Sequence, residues 1–296
     1  MRNAIVIGSS GFLGSAVTRR LLVAGFHVYA TKNRREINQE SRLTVIDGGI
    51  QALTTAVLDQ IGPEVIFHCA RPVMPRFRRW GRVMAAFRAK QYNRALLSQI
   101  GESRDKPTLV FASGSLVYGN SPLPHDETAV LNPVSYARQY HRGESPVLDA
   151  IHQENHKVIM LRFPWLLGDG SWFSWFYLKP LREKKLVPLF GDGSNMMSVI
   201  GLEDAAKLMV EYSVENRQSG IYNVIAPHVI TQRAFAESVA SHYGGVVTEY
   251  GNLYPQGLEK AVLEAFTSNI LLGTIHPESF AGSSQTLNQL LSRITL

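Results

Sequence analysis

The stretch from Ile5 to Leu22, "IVIGSSGFLGSAVTRRLL", decides the fold. A short apolar run leads into Gly8, Gly11 and Gly14, and a helix-like pattern follows at once. Glycines there allow a tight turn, let the backbone approach a pyrophosphate and let strand and helix pack closely, while the helix N-terminus offers amide donors. A glycine-rich turn at the start of a βαβ unit predicts dinucleotide binding.

The pattern that begins with this stretch continues to about residue 165. Further strand-like runs are "HVYAT", "LTVID", "EVIFHCA", "TLVFAS" and "KVIMLRF", and helix-like segments separate most of them. Such alternation is typical of a parallel sheet with helices on both faces and ligands at the carboxyl ends of the strands. We therefore predict an α/β fold with a Rossmann-type doubly wound parallel sheet. This dinucleotide-binding domain is expected to span residues 1–165 and to include the later segment of about residues 195–225. A smaller, intertwined C-terminal substrate lobe is expected over residues 166–296.

The later part of the chain carries several local signals. "GLEDAAKLMVEYSVEN" predicts a helix, "GIYNVIA" a strand, and "TQRAFAESVASHYG" a helix with Thr231 as its N-cap. A dense aromatic cluster is expected either to be buried or to line an apolar substrate site; its members are Trp172, Phe173, Trp175, Phe176 and Tyr177.

Composition limits the class of protein. A length of 296 residues with 45% hydrophobic content is typical of a chain with a sizeable core. The first strand-like run follows Met1 and Arg2 directly, no apolar run reaches membrane-spanning length, and the single Cys69 cannot form an internal disulfide, so we expect a cytoplasmic protein. The net charge of +6 is spread over many segments, which favours a small anionic ligand over nucleic acid. The histidines are scattered, and we predict no metal site.

The end of the second strand indicates which dinucleotide is bound. NAD-binding units carry an acidic residue there, which accepts hydrogen bonds from the ribose 2′-hydroxyl. This sequence has Lys32, Asn33 and Arg34 instead. Cations suit the 2′-phosphate of NADP, so we predict NADP(H) in preference to NAD(H), with a solvated basic turn as the alternative.

Taken together, these motifs resemble a known family, the extended short-chain dehydrogenase/reductases that include the NAD(P)-dependent epimerases and dehydratases. "IDG" after the third strand, "FHCA" closing the fourth, "FASGSLVYG" after the fifth, and the later "LRFPWLLG" and "GDGSNMMSVIGLEDAA" carry the resemblance, which runs from residue 3 to about residue 240. Members commonly form dimers through the helices after the fourth and fifth strands, so the resemblance implies a homodimer. The cofactor-binding residues assigned by the loop and by the resemblance are Gly8, Ser10, Gly11, Phe12, Leu13, Gly14, Lys32, Asn33, Arg34, Asp47, Gly48, Cys69, Ala70, Arg71, Tyr136, Pro164 and Trp165.

The catalytic residues implied by the resemblance are partly replaced. The family uses a Ser or Thr, a Tyr that passes a proton to or from a substrate oxygen, and a Lys four residues later that lowers the pKa of the Tyr. Here Gly114 stands at the first position between Ser113 and Ser115, Tyr136 matches the Tyr, and Tyr140 takes the place of the Lys. Lowering a phenol pKa from about 10 to about 7 requires roughly 4 kcal/mol, which a second phenol cannot supply. We predict Tyr136 as proton donor or acceptor, with Ser113 or Ser115 polarising the oxygen.

These departures leave two hypotheses for function. One is an NADP(H)-binding enzyme that reduces, epimerises or dehydrates a carbonyl or carbinol carbon. Met197 replaces an Arg that pairs with the substrate diphosphate in the nucleotide-sugar members, which favours a less charged, sugar-like or secondary-metabolite substrate. The other is a dinucleotide-binding protein without hydride chemistry, acting as a redox sensor or as a subunit of an assembly.

Overall fold

The computed structural model describes residues 2–32, 41–71, 78–215, 217–254, 256–276 and 285–296. The chain divides into two compact units, each built from three segments. The first unit comprises Met1–Ser113, Gln139–Arg162 and Ala205–Tyr222. The second unit comprises Gly114–Arg138, Phe163–Asp204 and Asn223–Leu296.

Among the described residues, the strands are β1 (Asn3–Ile7), β2 (His27–Lys32), β3 (Leu43–Asp47), β4 (Val65–His68), β5 (Thr108–Gly114), β6 (Val158–Phe163), β7 (Trp165–Leu167), β8 (Leu186–Leu189), β9 (Met196–Gly201), β10 (Gly220–Asn223), β11 (His228–Thr231) and β12 (Val246–Glu249). The α-helices in the same ranges are α1 (Phe12–Val23), α2 (Thr55–Ile61), α3 (Arg78–Glu102), α4 (Ala137–Ala150), α5 (Lys179–Lys184), α6 (Leu202–Val214), α7 (Gln232–Tyr243), α8 (Tyr250–Leu253), α9 (Lys260–Thr267) and α10 (Leu287–Leu291). The late helix and strand expected from the sequence correspond to α6 and β10.

A seven-stranded sheet forms the framework of the first unit. Its strand order is β10, β6, β5, β4, β1, β2, β3. β1 pairs in parallel with both β2 and β4, and β4 pairs in parallel with β5. The strand order reverses between β1 and β4, which is the point where ligands bind in sheets of this kind. The predicted Rossmann-type doubly wound sheet is confirmed.

The central strands are apolar because helices cover both faces of the sheet. Every residue of β6, "VIMLRF", is buried, and so are Ala4 to Ile7 of β1. α1 buries Leu13, Val17 and Leu21 and packs against β1 and β2. The spacing of four residues between these side chains places them on one helical face, as the sequence pattern predicted.

α3 is the long helix that follows β4, and one of its faces is exposed. Trp80, Val83, Met84 and Phe87 follow the spacing i, i+3, i+4 and i+7, and Trp80 and Phe87 are 75% and 62% exposed. This spacing places the four side chains along a single stripe of the helix. We call these four residues the α3 stripe.

The second unit has an aromatic core of its own. β11, β9 and β7 form a three-stranded sheet, and β12 pairs in parallel with β8. Of the predicted aromatic cluster, Phe173 and Tyr177 are fully buried in this core, whereas Trp175 is largely exposed. Met197 lies in the same core. The Thr231 hydroxyl accepts a hydrogen bond from the backbone N–H of Ala234, so the predicted N-cap of α7 is confirmed.

Candidate dinucleotide-binding site

The glycine loop between β1 and α1 leaves its backbone open to an anion. Gly8 has a φ of +83°, and its carbonyl accepts a hydrogen bond of 2.9 Å from the Gly11 N–H. Gly11 is the N-cap of α1 and provides no side-chain cap for the first helical turn. A Cβ atom on Gly14 would lie 2.1 Å from the Gly8 carbonyl oxygen. Glycine is therefore required for this loop to bring the helix N-terminus, with its partial positive charge, close to the strand.

The loop meets the end of β4 at the point where the strand order reverses. A Cβ atom on Gly8 would lie 2.9 Å from the Cα, Cβ and N atoms of Ala70. The Ser9 hydroxyl donates a buried hydrogen bond of 3.1 Å to the Thr31 carbonyl, which ties the loop to β2. Gly8 and Ala70 were both predicted to contact the cofactor, and the fold brings these distant positions of the chain together.

The two residues that precede Ala70, His68 and Cys69, have side chains whose pKa values are shifted by burial. Burial lowers the pKa of His68 to about 4, and its ring packs against that of Phe111 at 4.8 Å. Burial raises the pKa of the Cys69 thiol to about 12, and its sulfur lies 3.8 Å from the sulfur of Met209. Both side chains are therefore neutral near pH 7, and a contact of Cys69 with the cofactor stays a prediction.

The ends of β2 and β3 carry the residues predicted to select the dinucleotide. Lys32 and Asp47 are register partners, with the Lys32 ammonium 3.7 Å from an Asp47 carboxylate oxygen. The Gly48 N–H donates to the Lys32 carbonyl at 3.1 Å. The structure thus brings Lys32, Asp47 and Gly48 together at one edge of the sheet. Asn33 and Arg34, the other two residues in this prediction, lie outside the described residues.

At the end of β5, a buried carboxyl group binds one of the predicted serines. The Ser113 hydroxyl donates a hydrogen bond of 3.0 Å to Oε2 of Glu144, and Glu144 is only 5% exposed. Burial raises the pKa of Glu144 to about 7, although the positive charges of Arg71 and Arg162 and the Ser113 hydrogen bond act in the opposite direction. Sequence reasoning did not assign Glu144 a role, because its partner Ser113 lies on another element and far away in the chain.

A cation lies close to the position where the family has its Lys. The Arg71 guanidinium carbon is 3.9 Å from the centroid of the Tyr140 ring. A guanidinium over a phenol ring is held by the electrostatics of the ring face. The next residue, His141, has its pKa lowered by burial and by the charge of Arg162. Arg71 and Arg162, which lie on other elements, therefore add positive charge beside this part of α4.

Four of the other predicted residues belong to the second unit. Tyr136 is 38% exposed and lies in the turn just before α4, whereas Tyr140 lies within that helix. Ser115 is buried in the turn after β5. Pro164 precedes β7, and the Trp165 ring stacks on Phe266 at 5.2 Å. Roles for these residues in catalysis or cofactor binding stay predictions.

A polar network that the sequence did not reveal holds the "VYG" tyrosine. The Tyr118 hydroxyl donates to Oδ1 of the fully buried Asn223 at 2.7 Å. The Asn223 side-chain amide donates to the carbonyls of His125 and Gly273, and its backbone N–H donates to Glu127. Because these partners are far apart in the chain, no local pattern in the sequence could have indicated them. Tyr118 is thus held in a satisfied hydrogen-bond network of the second unit.

In the parts of the chain that the structure describes, no group of three or more His, Cys, Asp or Glu side chains is arranged to hold a metal ion. Within the same ranges, no helix combines the length and the apolar character needed to cross a membrane.

Comparison with known proteins identifies the family. The sequence profile of the NAD dependent epimerase/dehydratase family matches residues 4–224. The chain belongs to this family. The resemblance drawn from the motifs is confirmed.

The relatives found are distant. Epimerase family protein YfhF of Bacillus subtilis is 28% identical over 255 residues, which cover 80% of this chain and 78% of that protein. Methionine adenosyltransferase 2 subunit beta of Xenopus tropicalis is 28% identical over 177 residues, which cover 57% of this chain and 48% of that protein. MoeE5, solved in complex with UDP-glucuronic acid and NAD, superposes with a TM-score of 0.77 at 19% identity and covers 99% of this chain and 97% of its own, a likeness of fold.

Proposed function

We propose that this protein binds NADP(H) and reduces, epimerises or dehydrates a carbonyl or carbinol carbon of a sugar-like or secondary-metabolite substrate in the cytoplasm. The glycine loop carries the proposal, because a Cβ at Gly8 would collide with Ala70 and a Cβ at Gly14 with the Gly8 carbonyl, so only glycines let the loop hold the helix N-terminus close to the strand, where it can bind an anion. When bound, the nicotinamide supplies or accepts the hydride. The residues of this chain bind and orient the cofactor and move the proton.

The preference for NADP(H) rests on Lys32. Its ammonium is at the end of β2 and only partly exposed, where an acidic residue would be needed for NAD. NADH and NADPH can each be titrated with the purified protein, and their fluorescence reports binding. We expect NADPH to bind more tightly and Lys32→Ala to lose about tenfold in NADPH affinity, the worth of one charge-assisted hydrogen bond. Lys184→Ala, at an exposed lysine of α5, is the matched control. Equal or tighter binding of NADH by the wild-type protein would reject the preference.

Tyr136 is proposed as the residue that transfers the proton. Its phenol is partly exposed, which leaves it accessible to a substrate. The Tyr136→Phe variant retains the ring and lacks only the hydroxyl, so we expect it to bind NADPH normally and to lose at least about 100-fold in turnover. An identified substrate turned over equally by the variant and the wild type would remove Tyr136 from the mechanism.

The substrate is proposed to carry less charge than a nucleotide sugar. MoeE5 was solved with UDP-glucuronic acid. In this chain Met197, at the position of the diphosphate-binding Arg, is 1% exposed and packed in the aromatic core, so it offers neither a charge nor a surface to a diphosphate. Binding of UDP-glucose or UDP-glucuronic acid at micromolar concentration, measured by calorimetry, would contradict this part of the proposal.

A second candidate is a dinucleotide-binding subunit without hydride chemistry. It is favoured by Tyr140 and Gly114, which replace two of the three expected catalytic residues, and by the similarity to a protein named as a subunit of methionine adenosyltransferase 2. Oxidation of NADPH in the presence of any member of a ketone and aldehyde panel decides for the enzyme. Binding of NADPH with no turnover across the panel, together with a partner protein that co-purifies in fixed ratio, decides for the subunit.

A homodimer is proposed through the α3 stripe. A contiguous row of exposed Trp, Val, Met and Phe side chains is unusual on a solvated helix and typical of an interface. Light scattering coupled to gel filtration should give a dimer for the wild type and a monomer for Trp80→Glu with Phe87→Glu. Val229→Glu, at another exposed apolar position, should have the same dimeric mass as the wild type. A monomeric wild-type protein at high micromolar concentration would refute the dimer.

A further inference from the structure

Glu144 is a buried carboxyl group that the proposed reaction does not use. It lies in α4 and is 5% exposed, and the Ser113 hydroxyl donates to it at 3.0 Å. A buried carboxylate is costly unless charges and hydrogen bonds compensate for the loss of water. Glu144 therefore sits in an environment where both protonation states are accessible near neutral pH, in agreement with its pKa of about 7.

The charged and titratable groups around Glu144 come from several elements. Arg71, after β4, and Arg162, in β6, both favour its ionised form. On its own helix, His141 has a lowered pKa and adds no positive charge near pH 7. On α3, the neutral Asn93 side chain donates to the backbone of α4, at the Gly143 carbonyl. Among these groups within the described residues, Glu144 is the one whose pKa lies near 7.

Arg71 connects Glu144 to the phosphate loop. Arg71 follows Ala70, and Ala70 touches Gly8 of the loop. Its guanidinium packs on the ring of Tyr140, one helical turn before Glu144. An anion bound at the loop beside Arg71 would offset the positive charge that favours ionised Glu144. Since opposite charges stabilise and like charges destabilise a carboxylate, such an anion favours its protonation.

Protonation changes which hydrogen bonds the Ser113 hydroxyl can make. An ionised carboxylate only accepts, so the Ser113 hydrogen points to Glu144. A protonated carboxyl group has a hydrogen to donate to the Ser113 oxygen, and the Ser113 hydrogen can then turn to another acceptor. The hydrogen-bond direction of this pair therefore depends on one proton.

We propose that Ser113 and Glu144 form a proton store linked to dinucleotide binding, in which the anionic cofactor loads a proton onto Glu144 and thereby frees the Ser113 hydroxyl to donate to the substrate oxygen. The inference rests on the proposed function, because it requires the cofactor to bind at the loop. Glu144 acts through Ser113 and is a positioning residue. The proton comes from solvent on binding and returns to solvent on release.

Isothermal titration calorimetry of NADPH binding at pH 7.5 tests the linkage. The slope of the apparent enthalpy against the ionisation enthalpy of three buffers gives the number of protons taken up. We expect the wild type to take up about half a proton more than Glu144→Gln, which cannot titrate at this position. The 2′-phosphate of the ligand titrates with both proteins, so the difference between them isolates Glu144. Glu154→Gln, an exposed position in the same unit, is the matched control and should behave as the wild type.

A carboxyl titration followed by ¹³C NMR on the ligand-free protein tests the proton store separately from its linkage to the cofactor. We expect one resonance with a midpoint near pH 7 that is missing in Glu144→Gln and moves to higher pH when NADPH binds. In Ser113→Ala the midpoint should rise as well, because the hydrogen bond to the ionised form is lost. This variant also serves if Glu144→Gln does not fold.

Three outcomes would each overturn one part of the proposal. A Glu144 midpoint below pH 5 rejects the proton store itself. Equal proton uptake by the wild type and Glu144→Gln rejects its linkage to the cofactor. Failure of NADPH to bind the wild type rejects the proposed function, and the ligand-free titration still decides whether Glu144 holds a proton.

Discussion

Replacing Gly14 with alanine places a methyl group where the backbone of the phosphate loop already lies. The added Cβ would be 2.1 Å from the carbonyl oxygen and 2.7 Å from the carbonyl carbon of Gly8, and 3.1 Å from the Cα of Ser9. Backbone atoms cannot rotate away as a flexible side chain can, so the loop and the start of α1 must separate. At Gly11 the corresponding Cβ meets only the Gly8 oxygen, at 3.0 Å, and a shift of a few tenths of an ångström relieves the contact.

The expected magnitude follows from these distances. Inserting a methyl group into a tightly packed site costs about 1–3 kcal/mol, and the contact at Gly14 is at the severe end. We expect Gly14→Ala to lower the free energy of unfolding by about 3 kcal/mol. Because the amides of the first helical turn are displaced as well, the NADPH dissociation constant should rise at least about 100-fold. Gly11→Ala should fall between this variant and the wild type.

Denaturant unfolding and NADPH fluorescence titration measure the two effects separately. The control is Gly251→Ala in the short helix α8, where an added Cβ meets nothing within 4 Å. Alanine in a helix is favoured over glycine by up to about 1 kcal/mol, so this control should be neutral or slightly stabilising. A Gly14→Ala protein with wild-type unfolding and wild-type NADPH affinity would show that the loop does not bind the cofactor through the amides of the first helical turn.

Three further predictions concern stability. The pKa of Glu144 is raised from about 4.5 in the unfolded chain to about 7 in the folded protein, so between these pH values the folded protein binds more protons than the unfolded chain. The free energy of unfolding should therefore fall by about 3 kcal/mol as the pH rises through this range. Denaturation of Glu144→Gln at the same pH values should not show this loss. Replacing Phe266, which is buried in the aromatic core, with Ala should lower the free energy of unfolding by about 3–5 kcal/mol. Replacing the exposed Leu123 with Ala should change it by less than about 0.5 kcal/mol. Thr231→Ala removes the N-cap bond of α7 and should lower the melting temperature through a cost of about 1 kcal/mol, while Thr231→Ser keeps the hydroxyl and most of the stability.

The framework of the fold was predictable because its determinants are local. The glycine spacing from Gly8 to Gly14 requires a turn of one kind, and the apolar runs before and after it have the lengths of buried strands. Thr231 indicated the start of α7 by its own side chain. In each case the sequence pattern that predicts the element lies within that element.

The contacts that give the candidate site its chemistry were less predictable. Arg71, just after β4, contacts the ring of Tyr140 in α4, and Ser113, in β5, donates a hydrogen bond to Glu144 in α4, so neither pair has a signature in spacing. The four-residue spacing of Tyr136 and Tyr140 predicts one helical face, yet α4 begins at Ala137 and leaves Tyr136 in the preceding turn. Periodicity predicts which face a helix buries but gives its first residue only to within one or two positions.

The position of β10 at the edge of the seven-stranded sheet has a consequence for the order of synthesis. Its neighbour β6 ends at Phe163, while β10 begins at Gly220, so a ribosome has finished the fully buried strand "VIMLRF" well before the strand that covers its outer edge exists. Until then the nascent chain carries an unpaired, apolar edge, the kind of surface on which chains aggregate. A fragment cut at residue 165 would carry that same edge permanently, and it should precipitate or recruit chaperones where the whole chain folds.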